Sequence, residues 1–121
     1  MGADTPMVVV LEDNLPIAKL IELVLARAGC FQLVGPFPAF VGSEAFLAAA
    51  DAVILDLALD DLEGAALFDA VRDAVRPQTV IVVHSGQFDP EQTAWLPPDV
   101  DFVEKGHTAD LVGLLRQRLG L

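Results

Sequence analysis

The chain has 121 residues, 54% of them hydrophobic, and carries seven Lys and Arg against 18 Asp and Glu, a formal charge of −11. This length suits one domain with its own core, and the apolar fraction excludes a disordered chain. The charge excludes direct nucleic-acid binding, which needs clustered Lys and Arg to displace counterions, and favours a cation as ligand. No apolar run reaches the ~20 residues of a membrane span, and residues 1–6 lack the basic and apolar regions of a signal peptide. The lone Cys30 has no internal disulfide partner, which fits a reducing cytoplasm, and it reads as a small buried apolar residue.

In chain order, Met7–Leu11 is a continuous β-branched run, read as a buried strand that ends in Glu12-Asp13-Asn14. Two adjacent carboxylates repel each other unless a cation or a basic side chain lies between them, and hard oxygen ligands suit Mg²⁺. The alternative is a solvated turn with Asp13 or Asn14 capping the next helix. Ile17, Leu20, Ile21, Val24, Leu25 and Ala28 share one face of a helix over Leu15 to Ala28, with Pro16 in the first turn and Gly29 as the stop. Phe31 to Val34 follows as a short strand broken by Gly35-Pro36-Phe37-Pro38, and then a weaker helix over about Ser43 to Ala50.

Ala52-Val53-Ile54-Leu55 is the second uninterrupted apolar run, ending in Asp56. A carboxylate at that point serves as nucleophile, metal ligand or turn former, and the strand alone does not choose. An acidic loop closing on Gly64 leads to a helix over about Ala65 to Val75, ended by Arg76-Pro77. Thr79 to Val83 is the fourth strand and delivers His84-Ser85-Gly86. Asp89-Pro90-Glu91-Gln92 carries a helix-start pattern, but Pro97-Pro98 limits that helix to two turns. Val100 to Val103 is the fifth strand, followed by Glu104-Lys105-Gly106. A last helix, capped by Thr108, buries Leu111, Leu114, Leu115 and Leu119. Alternating strands and helices predict an α/β fold, a doubly wound five-stranded parallel sheet with helices on both faces.

In such a sheet the strand ends meet at one edge, bringing together Glu12, Asp13, Asp56, Ser85 and Lys105. That set suits phosphoryl transfer to a carboxylate. Asp56 is the candidate nucleophile, with Mg²⁺ on Asp13 and Asp56 lowering its repulsion from a phosphoryl group. Ser85 would donate a hydrogen bond to one phosphoryl oxygen, Lys105 would place a cation on another, and Gly86 would leave room for the incoming group. Strand alternation points His84 away from Ser85's side, so it reads as a packed or partly exposed histidine under a helix. His107 reads as a loop residue at the start of the last helix. Phe88 and Trp95 fit either a partner surface or a fold over the sheet edge.

With Glu12-Asp13, Asp56, Gly64, Ser85-Gly86, Phe102 and Lys105 in this order, the chain resembles the CheY-like receiver domain of two-component response regulators over nearly its whole length. The resemblance implies a flavodoxin-like (βα)5 fold with strand order 2-1-3-4-5, as a single receiver domain over residues 1–121 with no output domain. It implies that Asp56 takes a phosphoryl group from a phosphohistidine of a sensor histidine kinase or histidine phosphotransferase. Asp13, Asp56 and the backbone carbonyl of Ala58 would hold Mg²⁺, with Glu12 acting through water, and Ser85 and Phe102 would form a switch pair. The product would be a cytoplasmic signalling protein, not a metabolic enzyme, that catalyses its own phosphorylation and dephosphorylation. It would act on a downstream protein target or pass phosphate along a relay.

Three features depart from the family pattern. Gly106 replaces the usual proline after the lysine, removing a cis peptide that ordinarily fixes that loop. Asp60-Asp61 makes the site mouth more acidic, and the fourth helix is short. Ala58 and Gln87 flank the route of hydrolytic water in this family; Ala58 cannot orient a water and Gln87 can, which implies slow to moderate self-dephosphorylation. Two alternatives compete: a non-phosphorylated pseudo-receiver scaffold, and an Mg²⁺-dependent phosphatase of the haloacid dehalogenase type. The latter needs a second Asp where Ala58 stands. A flavodoxin-like cofactor binder fails because Glu12-Asp13 would repel a phosphate in the first loop.

Overall fold

The computed structural model describes residues 5–86 and 93–121. Strands β1 (Met7–Leu11), β2 (Gln32–Phe37), β3 (Ala52–Leu55), β4 (Val80–Ser85) and β5 (Asp101–Glu104) form one parallel sheet in the order β2-β1-β3-β4-β5. Helices α1 (Leu15–Ala28), α2 (Glu44–Leu47), α3 (Gly64–Ala74) and α4 (Asp110–Leu119) are those of the described residues. The expected topology is therefore the one observed.

Pleating sorts each strand's side chains between two cores. Val9, Leu11, Val53, Leu55, Ile81 and Val83 pack with Leu47 of α2 and with Leu67, Phe68 and Val71 of α3. Val8, Val10, Ala52, Ile54, Val82 and Val103 face Ile21 and Leu25 of α1 and Leu111 and Leu115 of α4. Burial on both faces explains why the central strands are apolar without alternation. At the N-terminal edge, the Asp51 carboxylate accepts the Met7 N–H at 2.8 Å and the Arg76 guanidinium at 3.2 Å. The opposite edge is left for chemistry.

α1 spans the predicted residues. Asn14 Oδ1 accepts the Ile17 N–H at 3.2 Å, and Gly29, at φ 71°, closes the helix with its N–H on Leu25 O. β2 does not stop at Val34 as expected. It continues through Gly35-Pro36 to Phe37, with a register shift against β1. β2 is an edge strand, and a proline there costs no ladder hydrogen bond on its solvent side. α2 is one turn, shorter than expected, and Cys30 is half-buried, not buried. The helix start at Asp89 lies outside the described residues. Residues 93–100 form turns, with Leu96 N–H on Thr93 O and Val100 N–H on Pro97 O.

Gly35 sits at φ 109°, and a Cβ there would lie 2.7 Å from Val10 O, a backbone atom of the neighbouring strand. Gly35→Ala should therefore cost about 1–3 kcal/mol, read as a lower urea midpoint at unchanged slope. An unchanged midpoint would show that β2 is not held against β1 in this way.

Candidate active site

The ladder extends one residue past the strand ends. Glu12 N–H donates to Phe37 O and Asp56 N–H to Leu11 O, both at 2.9 Å. These bonds fix the backbones beneath two carboxylates on neighbouring strands, and each residue is only 3% exposed. Asp13 joins them: Glu12, Asp13 and Asp56 each offer an oxygen within 4.8 Å of the others. Lys105 follows β5, two strands away from β3, so its side chain must cross the end of β4. Its Nζ lies 3.2 Å from Asp56 Oδ2 and 3.3 Å from Glu12 Oε2. Asp56 Oδ1 accepts the Ala58 N–H at 3.3 Å, and Glu12 Oε2 also accepts the Asn14 N–H at 3.2 Å.

One ammonium against three carboxylates leaves the cluster acidic. Burial, and then the neighbouring Asp56, push the Glu12 carboxyl up to about 7. Asp13 is also raised, by burial and by the charges of Asp56 and Asp60. Burial works against the Lys105 ammonium, but Asp56 and Glu12 outweigh it and raise its pKa. Glu12 Oε1 is buried with no hydrogen-bond partner. Hard oxygens, surplus negative charge and an unsatisfied buried carboxylate oxygen are the chemistry of a divalent cation site, so these residues fit Mg²⁺.

Ser85, in phase with Val83, turns to the opposite side of the sheet from His84. It shares a cleft of about 440 Å³ with Leu57, Ala58, Trp95 and Phe102. Trp95 is 37% exposed, and its ring centroid lies 5.6 Å from that of Phe68, so it covers the edge and also presents surface. Gln87 and Phe88 lie outside the described residues. The structure thus brings Glu12, Asp13, Asp56 and Lys105 into one cluster, with Ala58 beside Asp56, and places Ser85 and Phe102 on an adjoining cleft.

Four local expectations need correction or sharpening. The Asp61 carboxylate is held in place, accepting the N–H groups of Phe40 and Val41 at 2.9 and 3.0 Å. Those bonds hold its pKa below the ordinary range. Of the pair, Asp60 is the one whose charge raises Asp13. Thr108 does not cap α4: its hydroxyl donates to Lys105 O at 2.8 Å and lies 3.0 Å from His84 Nε2. His84 is completely buried, and its Nδ1 lies 4.0 Å from Glu12 Oε1. Burial and the Lys105 charge push the imidazole down to about 4, so the contact is no ion pair near neutral pH. Gly106 lies in a single 3-10 turn, Lys105–His107, so His107, expected as a loop residue at the start of the last helix, closes this turn and is exposed. His84 and Thr108 carried only a weak signal: a polar residue closing a run of valines, and a hydroxyl three residues after the lysine.

No family model and no curated protein matches the chain. Solved structures do. A response regulator receiver protein from Sinorhizobium medicae is similar at TM-score 0.79 and 22% identity, with 97% of this chain and 96% of that one covered. The receiver domain of a sensor histidine kinase from Pseudomonas aeruginosa, with magnesium ion coordinated in its active site cleft, is similar at TM-score 0.77 and 18% identity, covering 98% and 100%. The receiver domain of a putative Luxo repressor from Vibrio parahaemolyticus reaches TM-score 0.81 at 19% identity, covering 97% and 92%. The chain has the fold of response regulator receiver domains.

Glu12 sets a pH dependence. Its folded value of about 7 lies above the ordinary 4.5, so the native state holds this proton more tightly than the unfolded chain. The resulting stability is complete below about 4.5 and is lost as pH rises through about 7. His84, depressed from 6.5 to about 4, acts in the opposite sense, its contribution present above 6.5 and lost as pH falls. The difference between parent and Glu12→Gln isolates Glu12. In urea unfolding with EDTA, Glu12→Gln should gain on the parent as pH rises from about 5 to about 8. A flat difference would mean that Glu12 ionises as an ordinary carboxylate.

Proposed function

We propose that this chain is a phosphoacceptor response regulator, in which Asp56 receives a phosphoryl group from a phosphohistidine. The observation that carries the reading is the Lys105 ammonium, within 3.3 Å of both Glu12 and Asp56 at the C-terminal edge of the sheet, with Asp13 alongside. In the transfer, the N–P bond of the donor breaks and its electron pair stays on the imidazole nitrogen. A bond forms between an Asp56 carboxylate oxygen and phosphorus, giving an acyl phosphate. Lys105 offsets charge on the phosphoryl oxygens, and Ser85 supplies a hydroxyl donor from the adjoining cleft.

Asp13 and Asp56, the Ala58 carbonyl, and Glu12 through water would hold Mg²⁺. Bound there, the ion would offset repulsion between the carboxylates and an incoming phosphoryl group. Support comes from the acidic cluster itself and from the similar kinase receiver domain, whose cleft coordinates magnesium. Ser85 and Phe102 form the switch pair, with room in their shared cleft for a side chain to move. The partners are a sensor histidine kinase or histidine phosphotransferase and a downstream protein. Among the described residues no helix is long and apolar enough to cross a membrane, and the cytoplasm is the proposed compartment. Ala58 offers no acid or base, which disfavours a phosphatase of the haloacid dehalogenase type.

Incubation with acetyl phosphate and Mg²⁺, followed by intact mass measurement, tests this reading. The parent should gain one phosphoryl mass, while Asp56→Asn, or the parent in EDTA, gains none. Lys105→Ala should be phosphorylated at least about tenfold more slowly, the loss expected when a positioned cation is removed from the reacting group. No mass gain and no beryllofluoride binding by the parent would leave the pseudo-receiver scaffold as the surviving reading. The acyl phosphate should last minutes or longer, because Ala58 cannot orient water; loss within seconds in Mg²⁺ buffer would overturn that.

A further inference from the structure

We infer that His84 and Thr108 form a buried brace that positions Lys105 over Asp56, so that both are positioning residues for the lysine. The brace itself is geometry; only the effect assigned to Lys105 rests on the proposed function.

The segment that carries the ammonium is intrinsically loose. Lys105–His107 is one 3-10 turn, Gly106 and His107 are exposed, and a Cβ at Gly106 would meet no heavy atom within 4 Å. A glycine there leaves the backbone more freedom than any other residue. Against that freedom stands a chain of two hydrogen bonds. Thr108 Oγ1 donates to Lys105 O at 2.8 Å, and the same oxygen lies 3.0 Å from His84 Nε2. A hydroxyl has one proton to give. With that proton on Lys105 O, the imidazole must carry hydrogen on Nε2 and donate to Thr108. Nδ1 is then bare, facing Glu12 Oε1 at 4.0 Å, beyond hydrogen-bond distance.

Both braced residues are inside the protein: His84 is fully buried and Thr108 is 3% exposed. His84 stands in line with Val82, on a strand whose other buried residues are Ile81, Val82 and Val83. A valine at this position would bury no polar group. An imidazole must find partners or bear the cost of desolvation. What it gains is a rigid link from the sheet interior to the backbone of Lys105, and through that to the ammonium 3.2 Å from Asp56.

Thr108→Val removes the hydroxyl at nearly constant shape, and Thr108→Ser keeps it. In the metal-free parent, ¹⁵N-imidazole spectra should show His84 as the Nε2–H tautomer with a slowly exchanging proton. Thr108→Val should lose that protection and exchange the amides of Gly106 to Thr108 about tenfold faster, while Thr108→Ser stays near the parent. An Nδ1–H tautomer, or unchanged exchange in Thr108→Val, would overturn the brace. Acetyl phosphate kinetics supply the functional arm. Thr108→Val should be phosphorylated about five- to tenfold more slowly, with Mg²⁺ affinity within about twofold, and Thr108→Ser should recover the rate. Added to Lys105→Ala, Thr108→Val should cause no further loss. An equal loss in both backgrounds would mean general damage to the fold and would also overturn the proposal. If the parent takes no phosphoryl group, the receiver reading fails, and the imidazole and exchange spectra still decide the brace.

Discussion

One ammonium held among buried carboxylates is the contact on which the site depends. Parallel pairing of β1 with β3 sets Glu12 and Asp56 side by side, and the ladder bonds below them leave no freedom to separate. Like charges at such spacing, out of water, cannot all stay ionised without a counter-charge. Lys105 supplies part of it from two strands away, across roughly 10 Å of sheet edge. The chain between them, at the end of β4, is Ser85-Gly86, small enough for the lysine to pass over. Burial, and then the neighbouring Asp56, raise the Glu12 pKa, and the surplus negative charge fits the edge for a divalent cation.

Much of this was legible in the sequence. Burial on both faces makes a parallel strand a continuous apolar run, so β1, β3 and β4 announced themselves and their last residues pointed to the site. α1 was readable at both ends because Asn14, Pro16 and Gly29 are local signals. β2 was misread because Gly35-Pro36 is a turn signal in isolation; its place at the sheet edge, known only from the fold, makes it tolerable. Thr108 departs from the expected cap because its hydroxyl meets Lys105 O instead. The hydroxyl's partner is only three residues away but is presented by a 3-10 turn that no local signal marked, whereas the Asp61 carboxylate meets Phe40, 21 residues distant, a contact only the fold reveals.

The similarity to solved receiver domains lies in the fold, at identities near 20%. A doubly wound sheet constrains the apolar pattern far more than the identity of each residue, because many β-branched and aliphatic side chains fill the same layer. The fold therefore persists where family models no longer match. The converse also holds: a fold hosts many chemistries, and it is the strand-end residues that narrow the choice. Here the strand ends carry the acid pair Glu12-Asp13, Asp56 and Lys105, and the residue after that lysine is a glycine.

That combination assigns different tasks to two consecutive residues of β4. Pleating turns His84 toward α1 and α4, where it is completely buried and bonded to Thr108, on the side that holds the fixed charges. It turns Ser85 toward the cleft shared with Phe102 and Trp95, where side chains have free volume. A hydroxyl can change its hydrogen-bond partner by a rotation about one torsion, whereas a packed imidazole cannot turn without opening a core. The end of β4 thus joins a packed half of the edge, where His84 is enclosed, to an open one, where Ser85 borders the cleft.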